Sequence, residues 1–508
     1  MNNLKKIKSA LISVYHKDHL AEIVQALHAH DVKIYSTGGT RDFVASLGIP
    51  VTAVEDVTSY PSIFGGRVKT LHPKIFGGIL YRREEPSHCE EAARYQIPDI
   101  DLVIVDLYPF AETLASGASD EAIIEKIDIG GISLIRAAAK NFRDVVIVPS
   151  KREYLRLLDL LHEKNGFTSI EDRRWFASRA FAVSSDYDTA IHSYFNRESA
   201  EVCLKASYNE GTALRYGENP HQKGYFFGQL ADMFTQLHGK EISYNNLLDM
   251  DAAVNLISEF DDTTFAILKH NNACGIASAK TLCEAYQKAF AGDPVSAFGG
   301  VLITNRVIDK ETAEAMNTLF FELVMAPGYE PEALELLKSK KNRMILEMKP
   351  VSLPSVQYRT LLNGVVSQDK DLSMQSVADM KVVTRKAPTL SELTDLVFAN
   401  KIVKHSKSNA IVLARGNQLL ASGVGQTSRV DALQQAIEKA GSFGFDLQGA
   451  VMASDAFFPF PDCVEIAGKA GITAVVHPGG SVRDDESVNY CDENGLAMTM
   501  TGVRHFKH

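Results

Sequence analysis

Thr264-Phe265-Ala266-Ile267-Leu268-Lys269-His270-Asn271-Asn272-Ala273-Cys274-Gly275 is the stretch from which the fold can be read. Residues 265–268 form a short apolar run of the kind that makes a buried strand. It ends abruptly in Lys269, His270, Asn271 and Asn272, and a helical pattern resumes near Leu282. In open α/β sheets ligands bind beyond the carboxyl ends of the strands. A cation, a titratable imidazole and two amides crowd one such end, a set suited to moving protons and steadying a developing charge. A solvated turn after a buried strand would give the same letters.

The arrangement occurs twice. Leu396, Val397 and Phe398 lead into Ile402-Val403-Lys404-His405-Ser406-Lys407-Ser408-Asn409, so a second apolar run ends in Lys-His and reaches an Asn. Helix-like segments follow at 283–290 and 431–440, then glycine-containing loops into apolar runs at 299–303 and 449–453. The consistent element order predicts an internal duplication, two α/β halves with matching Lys-His ends.

At 508 residues the chain is expected to hold several domains. Its 45% hydrophobic and 23% charged content is that of a soluble globular protein. A net charge of −10 argues against general binding to nucleic acid or an acidic membrane, leaving a local basic pocket open. The 6 cysteines show neither paired spacing nor a metal pattern, which points to a reduced, cytoplasmic setting. The lysine-rich start is followed by an apolar run at 10–15 that is too short for a signal peptide or a membrane span.

The first 150 residues alternate strand signals (10–15, 32–35, 101–107, 145–148) with helical ones (19–28, 132–140), which implies a parallel sheet with helices on its faces. Ser36-Thr37-Gly38-Gly39-Thr40 offers backbone N–H groups and hydroxyls at a helix start, which suits a phosphate, although a Thr-capped glycine turn reads the same. In Gly65-Gly66-Arg67-Val68-Lys69-Thr70, paired glycines stand beside three anion-binding side chains on one short loop. Tyr108 follows a strand. Asp128 and Lys140 bracket a helix, either as start cap and dipole partner or as a proton-handling pair, and spacing leaves both open. A helical pattern runs from 151 to 195, with Trp175, Phe176 and Phe181 as core, and composition changes at 196–208, marking a domain boundary. The aromatics of 454–462 suit a flat heterocycle or a subunit contact. The basic end, 502–508, reads as a tail that frays.

The motifs GGRVKTLHP (65–73), DIGGISLIRAAAKN (128–141), LRYGENPHQ (214–222), DPVSAFGG (293–300), SDAFFPFPD (454–462) and PGGSVRD (478–484) span almost the whole chain. Together they resemble the bifunctional purine-biosynthesis family that joins aminoimidazole-carboxamide ribonucleotide (AICAR) formyltransferase to inosine monophosphate (IMP) cyclohydrolase. The resemblance implies an α/β protein. Residues 1–196 would be a methylglyoxal-synthase-like cyclohydrolase domain, and 197–508 a transformylase of two cytidine-deaminase-like folds, about 197–375 and 376–508. The His-x-Glu and Pro-Cys-x-x-Cys signature of zinc deaminases is absent, so that fold likeness brings no zinc chemistry.

By the same resemblance, formyl passes from 10-formyltetrahydrofolate to AICAR, and the formylated product then cyclises to IMP with loss of water, with no metal required. His270 is similar to the base that takes the amine proton, Lys269 to the group that stabilises the formyl oxygen, and Asn409 to a residue that aligns the reactants. Arg215, Tyr216, Gly299, Glu322, Arg429, Phe457 and Arg504 match substrate contacts, and Asp462 a folate contact; Arg504 would then anchor an ordered tail. In the cyclohydrolase, Ser13, Lys17, Thr37, Gly39, Thr40, Arg67 and Thr70 match nucleotide-binding positions, and Lys69, Tyr108, Asp128 and Lys140 the catalytic group. A homodimer with transformylase sites shared between subunits is implied as well.

Three departures stand out. Ser13-Val14-Tyr15-His16-Lys17-Asp18 replaces the usual Ser-Val-Ser-Asp-Lys-Thr turn. Asp106 stands where Asn is usual and is expected to weaken binding of an anionic substrate; Asn272-Ala273 replaces Asn-Pro and loosens that turn. The competing expectation is that only one activity is retained, with the first domain acting as a phosphate-sensing regulatory module. Against it, Tyr108, Asp128 and Lys140 are more than sensing needs.

Overall fold

The computed structural model describes residues 4–199 and 201–508. It divides into two compact units, one ending at Glu210 and one running from Gly211 to His508.

The first unit is built on a five-stranded parallel sheet in the spatial order Val51–Ala53, Lys33–Ser36, Ser9–Ser13, Leu102–Val105, Val146–Val148. Its central strands are buried on both faces, which is why they read as unbroken apolar runs. Chain order reverses between Ser9–Ser13 and Leu102–Val105. Such a switch point opens a crevice beyond the strand ends, where ligands bind. The helical stretch expected at 151–195 is broken in two, Tyr154–Glu163 and Ile170–Asn196, the second started by a Ser169–Asp172 capping box. Phe176 is core, whereas Phe181 is 43% exposed, contrary to expectation. It lies on the outward face of a helix whose buried stripe runs through Arg173, Phe176, Ala177 and Ala180.

The second unit confirms the duplication. Its first sheet has the order Phe234–His238, Met344–Met348, Leu323–Ala326, Val301–Thr304, Thr264–Lys269, Asn272–Ser278. The second repeats it with Lys381–Val382, Ala497–Met500, Ala474–His477, Val451–Ser454, Ile411–Ala414, Leu419–Gly423. In each, an antiparallel hairpin joins a parallel trio and an antiparallel edge strand. Helices Tyr244–Ile257 and Leu390–Lys404 contribute to one core shared by the two sheets.

The matching of the Lys-His pairs is overturned. Lys269 ends a strand and His270 lies in the hairpin turn, but Lys404 is the last residue of helix Leu390–Lys404 and His405 its C-terminal cap. The position equivalent to Lys269-His270 in the second half is the turn at Arg415-Gly416-Asn417, between Ile411–Ala414 and Leu419–Gly423. Leu396, Phe398, Ala399, Ile402 and Val403 are all buried. A helix buried on several sides gives a continuous apolar run that periodicity cannot tell from a strand. Lys404 and His405 instead share the carboxylate of Glu259, at 2.8 Å each.

Candidate functional sites

In the first unit, the loops leaving the strand ends converge at the switch point. Thr37 precedes helix Gly38–Ser46, placing Gly39 and Thr40 in its first turn. The Thr40 hydroxyl donates to the Val14 carbonyl at 2.9 Å, and Lys17 Nζ donates to Val14 O and, at 3.1 Å, to Thr40 Oγ1. These bonds fold the loop after Ser13 over the start of that helix. Burial pulls the Lys17 ammonium below its ordinary value. A cleft of about 350 Å³ opens between Thr37, Gly38, Gly66 and Lys69, and it also takes in Arg41 and Glu55, which sequence reasoning did not single out. Glu55 accepts a bond from the Thr37 hydroxyl at 3.3 Å. Arg67 is paired with Glu125, both largely exposed. A bridge so hydrated contributes little and is readily given up to an incoming anion. Thr70 is buried.

Asp128 is 8% exposed, and its Oδ1 accepts the Gly131 N–H at 2.6 Å, at the start of helix Gly130–Lys140. Gly131 is required there, because a Cβ would lie 2.6 Å from Asp128 Oδ2. The Asp128 N–H donates to the Tyr187 hydroxyl at 2.8 Å. Burial pushes the Asp128 carboxyl up, opposed by the N–H groups of Gly131 and Tyr108 and, more weakly, by Lys69. Burial also raises Tyr108, helped by the nearby Asp128 charge, so the phenol keeps its proton. Lys69, Tyr108 and Asp128 therefore share one environment. Lys140 does not join them directly. It is exposed at the last turn of the same helix, about 15 Å of helical rise from its start. That placement is the dipole-partner alternative, not the proton-handling pair.

Two departures from the family pattern turn out to be one structure. Asp106 Oδ1 accepts the Tyr15 N–H, and Oδ2 accepts the His16 N–H at 2.9 Å and faces His16 Nδ1 at 3.1 Å.

In the second unit, His270 and Asn271 both have positive φ, 51° and 66°, so Lys269 to Asn272 form a two-residue hairpin of the kind whose twist suits antiparallel strands. Asn tolerates this conformation, and Asp249 secures it by accepting the Asn271 N–H at 2.7 Å. Burial raises the Asp249 carboxyl, against the pull of His270 and Lys269. Lys269 Nζ donates to the Phe298 carbonyl at 2.7 Å, beside Gly299, whose own N–H donates to Phe320 O at 2.8 Å. Glu322 lies on the same sheet end and holds Lys240 at 2.6 Å. His270 is exposed. Asn272 ties the turn on both sides: its Nδ2 donates to His270 O at 2.9 Å, and its Oδ1 accepts the Lys407 N–H at 3.0 Å. The two Lys-His stretches thus meet instead of repeating. Asn409 is held two residues further on, its Nδ2 donating to Gln426 O at 2.9 Å.

Arg429 and Arg504 form a second group around Phe506. Arg429 reaches the buried Asp455 at 3.4 Å, and the guanidinium groups of Arg504 and Arg429 lie 4.3 and 5.7 Å from the Phe506 ring centre. Arg429 Nε and Asp455 Oδ2 are buried without a hydrogen-bond partner, polar capacity available to a ligand. Phe457 is half-buried, but Phe458 is core, packed on His477, so the aromatics of 454–462 do not present one continuous surface to a heterocycle or a subunit. Asp462 opens helix Asp462–Lys469 and caps its own neighbour, Cys463. The tail does not fray: His505 is 3% exposed, donates its N–H to Asp455 O at 3.0 Å, and its ring meets Asp371 and Gln375. Arg215 contacts its neighbour Tyr216, hydroxyl at 2.7 Å, on an exposed loop.

Comparison with known proteins agrees with this geometry. Residues 19–133 match the MGS-like domain, and residues 138–439 match the AICARFT/IMPCHase bienzyme. The chain is 66% identical over 508 residues, all of both chains, to the bifunctional purine biosynthesis protein PurH of Bacteroides thetaiotaomicron. Proteins of the same name from Acetivibrio thermocellus and Lactobacillus delbrueckii are 44% and 45% identical over 99% of this chain and 100% of theirs. A first unit with a cleft beyond the ends of its parallel strands, a duplicated second unit, and relatives matched from end to end agree on one assignment: the chain belongs to the AICARFT/IMPCHase bienzyme family.

Proposed function

We propose that the second unit formylates AICAR and the first unit closes the product to IMP, so that the chain is a bifunctional purine-biosynthesis enzyme. The observation that carries this is the Lys269-His270 turn: an ammonium held by a carbonyl beside an exposed imidazole, on a hairpin fixed by Asp249 and Asn272. The 5-amino group of AICAR is conjugated to an electron-poor ring and is a weak nucleophile. His270 takes its proton as nitrogen attacks the formyl carbon of 10-formyltetrahydrofolate. Lys269 stabilises the negative formyl oxygen, and the folate nitrogen leaves. Asn409, clamped to Gln426, keeps the reactants aligned. Gly299, Glu322, Arg429, Phe457, Arg504, Arg215 and Tyr216 supply nucleotide contacts, and Asp462 a folate contact.

In the first unit the carboxamide nitrogen attacks the new formyl group and water leaves. Asp128, raised by burial, accepts the carboxamide proton and passes it to the formyl oxygen; Tyr108, still a phenol, gives that oxygen its second proton as water leaves and regains one from the formamide nitrogen as the ring C=N bond forms. Lys69 stands with them in the catalytic group; Thr37, Gly39, Thr40, Arg67 and Thr70, with Ser13 and Lys17, hold the nucleotide, while Lys140 stands at the far end of the Asp128 helix. Much of the acceleration is selection of the folded-over conformer, since the reaction is intramolecular. On the same reading the protein works as a cytoplasmic homodimer, a setting that its 6 free cysteines suit. The test is a paired assay. His270→Ala is expected to lower formyl transfer by roughly 10²- to 10⁴-fold while leaving cyclisation of supplied formyl-AICAR intact; loss of both, or of neither, overturns the assignment.

A further inference from the structure

Tyr15, His16 and Asp106 are absorbed by none of the roles above, yet they stand at the switch point of the first sheet. Tyr15 and His16 follow strand Ser9–Ser13, and Asp106 follows its parallel neighbour Leu102–Val105, with Tyr108 two residues on. The Asp106 carboxylate ties the two loops together through both backbone N–H groups and the His16 ring. Its side chain is only 9% exposed, that of His16 37%. The consequence is the placing of Tyr15: its ring stands edge-on to Tyr108, 5.6 Å between centres at 87°. Lys126 Nζ lies 5.2 Å from the Tyr15 ring centre and 5.7 Å from that of Tyr108. Tyr15 remains 46% exposed, aromatic surface left over from packing at the mouth of the crevice.

Resting on the cyclohydrolase assignment, we propose that Tyr15 contacts the planar heterocycle of the substrate in the first unit, and that His16 and Asp106 are positioning residues that hold it against Tyr108. An aromatic wall set at right angles to a reactive phenol packs a flat ring and so limits the conformers available for closure. The acid at Asp106 is then a working part of the loop lock, its charge spent on two N–H donors and an imidazole.

The pairing is open to inversion. In His16→Asp a second carboxylate faces Asp106, and the loops repel. In Asp106→Asn the amide oxygen still accepts a backbone N–H, but the charge-assisted partner of His16 is lost. Combining the two sets a carboxylate against an amide that donates, so the lock reforms with reversed polarity. The experiment uses full-length protein supplied with formyl-AICAR, with kcat and KM determined separately and formyl transfer measured on the same samples as a control for folding. Tyr15→Ala is expected to raise KM by roughly three- to tenfold with a smaller change in kcat, and Tyr15→Phe to stay near wild type. The double variant is expected to exceed the product of the single effects by about threefold or more. Wild-type KM in Tyr15→Ala, or multiplicative behaviour of the pair, overturns the inference while wild-type turnover leaves the cyclohydrolase assignment standing. Failure of the wild-type protein to cyclise formyl-AICAR defeats that assignment itself.

Discussion

Asp128 is the residue in which structure and chemistry pull against each other. Its carboxyl starts a helix by accepting the Gly131 N–H, but its burial disfavours the charge that the proposed base needs. The folded-state pKa is raised above the unfolded one, so the native protein holds this proton more tightly. The resulting contribution to stability is present at low pH and is lost as pH rises from the ordinary 3.8 through the raised value. Asp128→Asn keeps the acceptor oxygen and removes the charge. It is expected to lower cyclisation by roughly 10²- to 10⁴-fold, to spare formyl transfer, and to raise the Tm of the first unit at pH 8 but not at pH 4. Equal melting shifts at both pH values would show that ionisation is not the source of strain. In the wild type, cyclisation should fall as pH drops through the same raised value. Sequence already marked Asp128 at a helix start, Tyr108 after a strand and Lys69 on the paired-glycine loop. It could not join Tyr15 to Asp106 or Arg67 to Glu125: these contacts span 91 and 58 positions, and nothing local encodes them.

Among elements, the most exacting contact is one that both halves of the second unit make. Gly275 lies in the second strand of the first hairpin, where a Cβ would run into the Ala289 carbonyl of helix Leu282–Gly292. Gly423 occupies the matching strand of the second hairpin, where a Cβ would meet the Ala432 carbonyl of helix Arg429–Ser442. Strand and helix backbones touch at both places, so the helix must shift to admit a methyl group. Gly275→Ala and Gly423→Ala are each expected to destabilise the second unit by about 1–3 kcal/mol. Formyl transfer should then fail at a lower temperature while cyclisation persists to the wild-type limit; unchanged thermal profiles would mean that the helices yield freely. This pair is a truer mark of the duplication than the Lys-His repeat that suggested it. Element order was legible because strands, helices and glycine loops recur in sequence. The register was not, since the buried helix Leu390–Lys404 carries the same dense apolar lettering as a strand. The turn at His270-Asn271 stood only as an alternative, the returning strand Asn272–Ser278 was not expected, and the hold that Asp249 exerts from 22 positions away was invisible.

At the scale of the whole molecule, a chain of net charge −10 is proposed to handle anionic nucleotides through two local sets of cations, Lys17 and Arg67 in the first unit and Arg429 and Arg504 in the second. The residues assigned to each reaction fall wholly within one unit of the division at Glu210 and Gly211. Chemistry therefore separates along the chain, and disabling one site should leave the other whole. His270→Ala lacks the base for formyl transfer and keeps cyclisation; Asp128→Asn makes formyl-AICAR and closes it poorly. Supplied with AICAR and 10-formyltetrahydrofolate, neither variant alone is expected to accumulate IMP at the wild-type rate. Mixed in equal amounts, they should recover it after a lag, as the product of one protein reaches the first unit of the other. The measurement is a time course of IMP in the separate and mixed samples, with free formyl-AICAR followed in parallel. Recovery with a transient of formyl-AICAR means that the intermediate crosses between molecules and that each unit works by itself. A mixture no faster than its parts would mean that the two reactions depend on one intact chain, and that assigning each to its own unit is wrong.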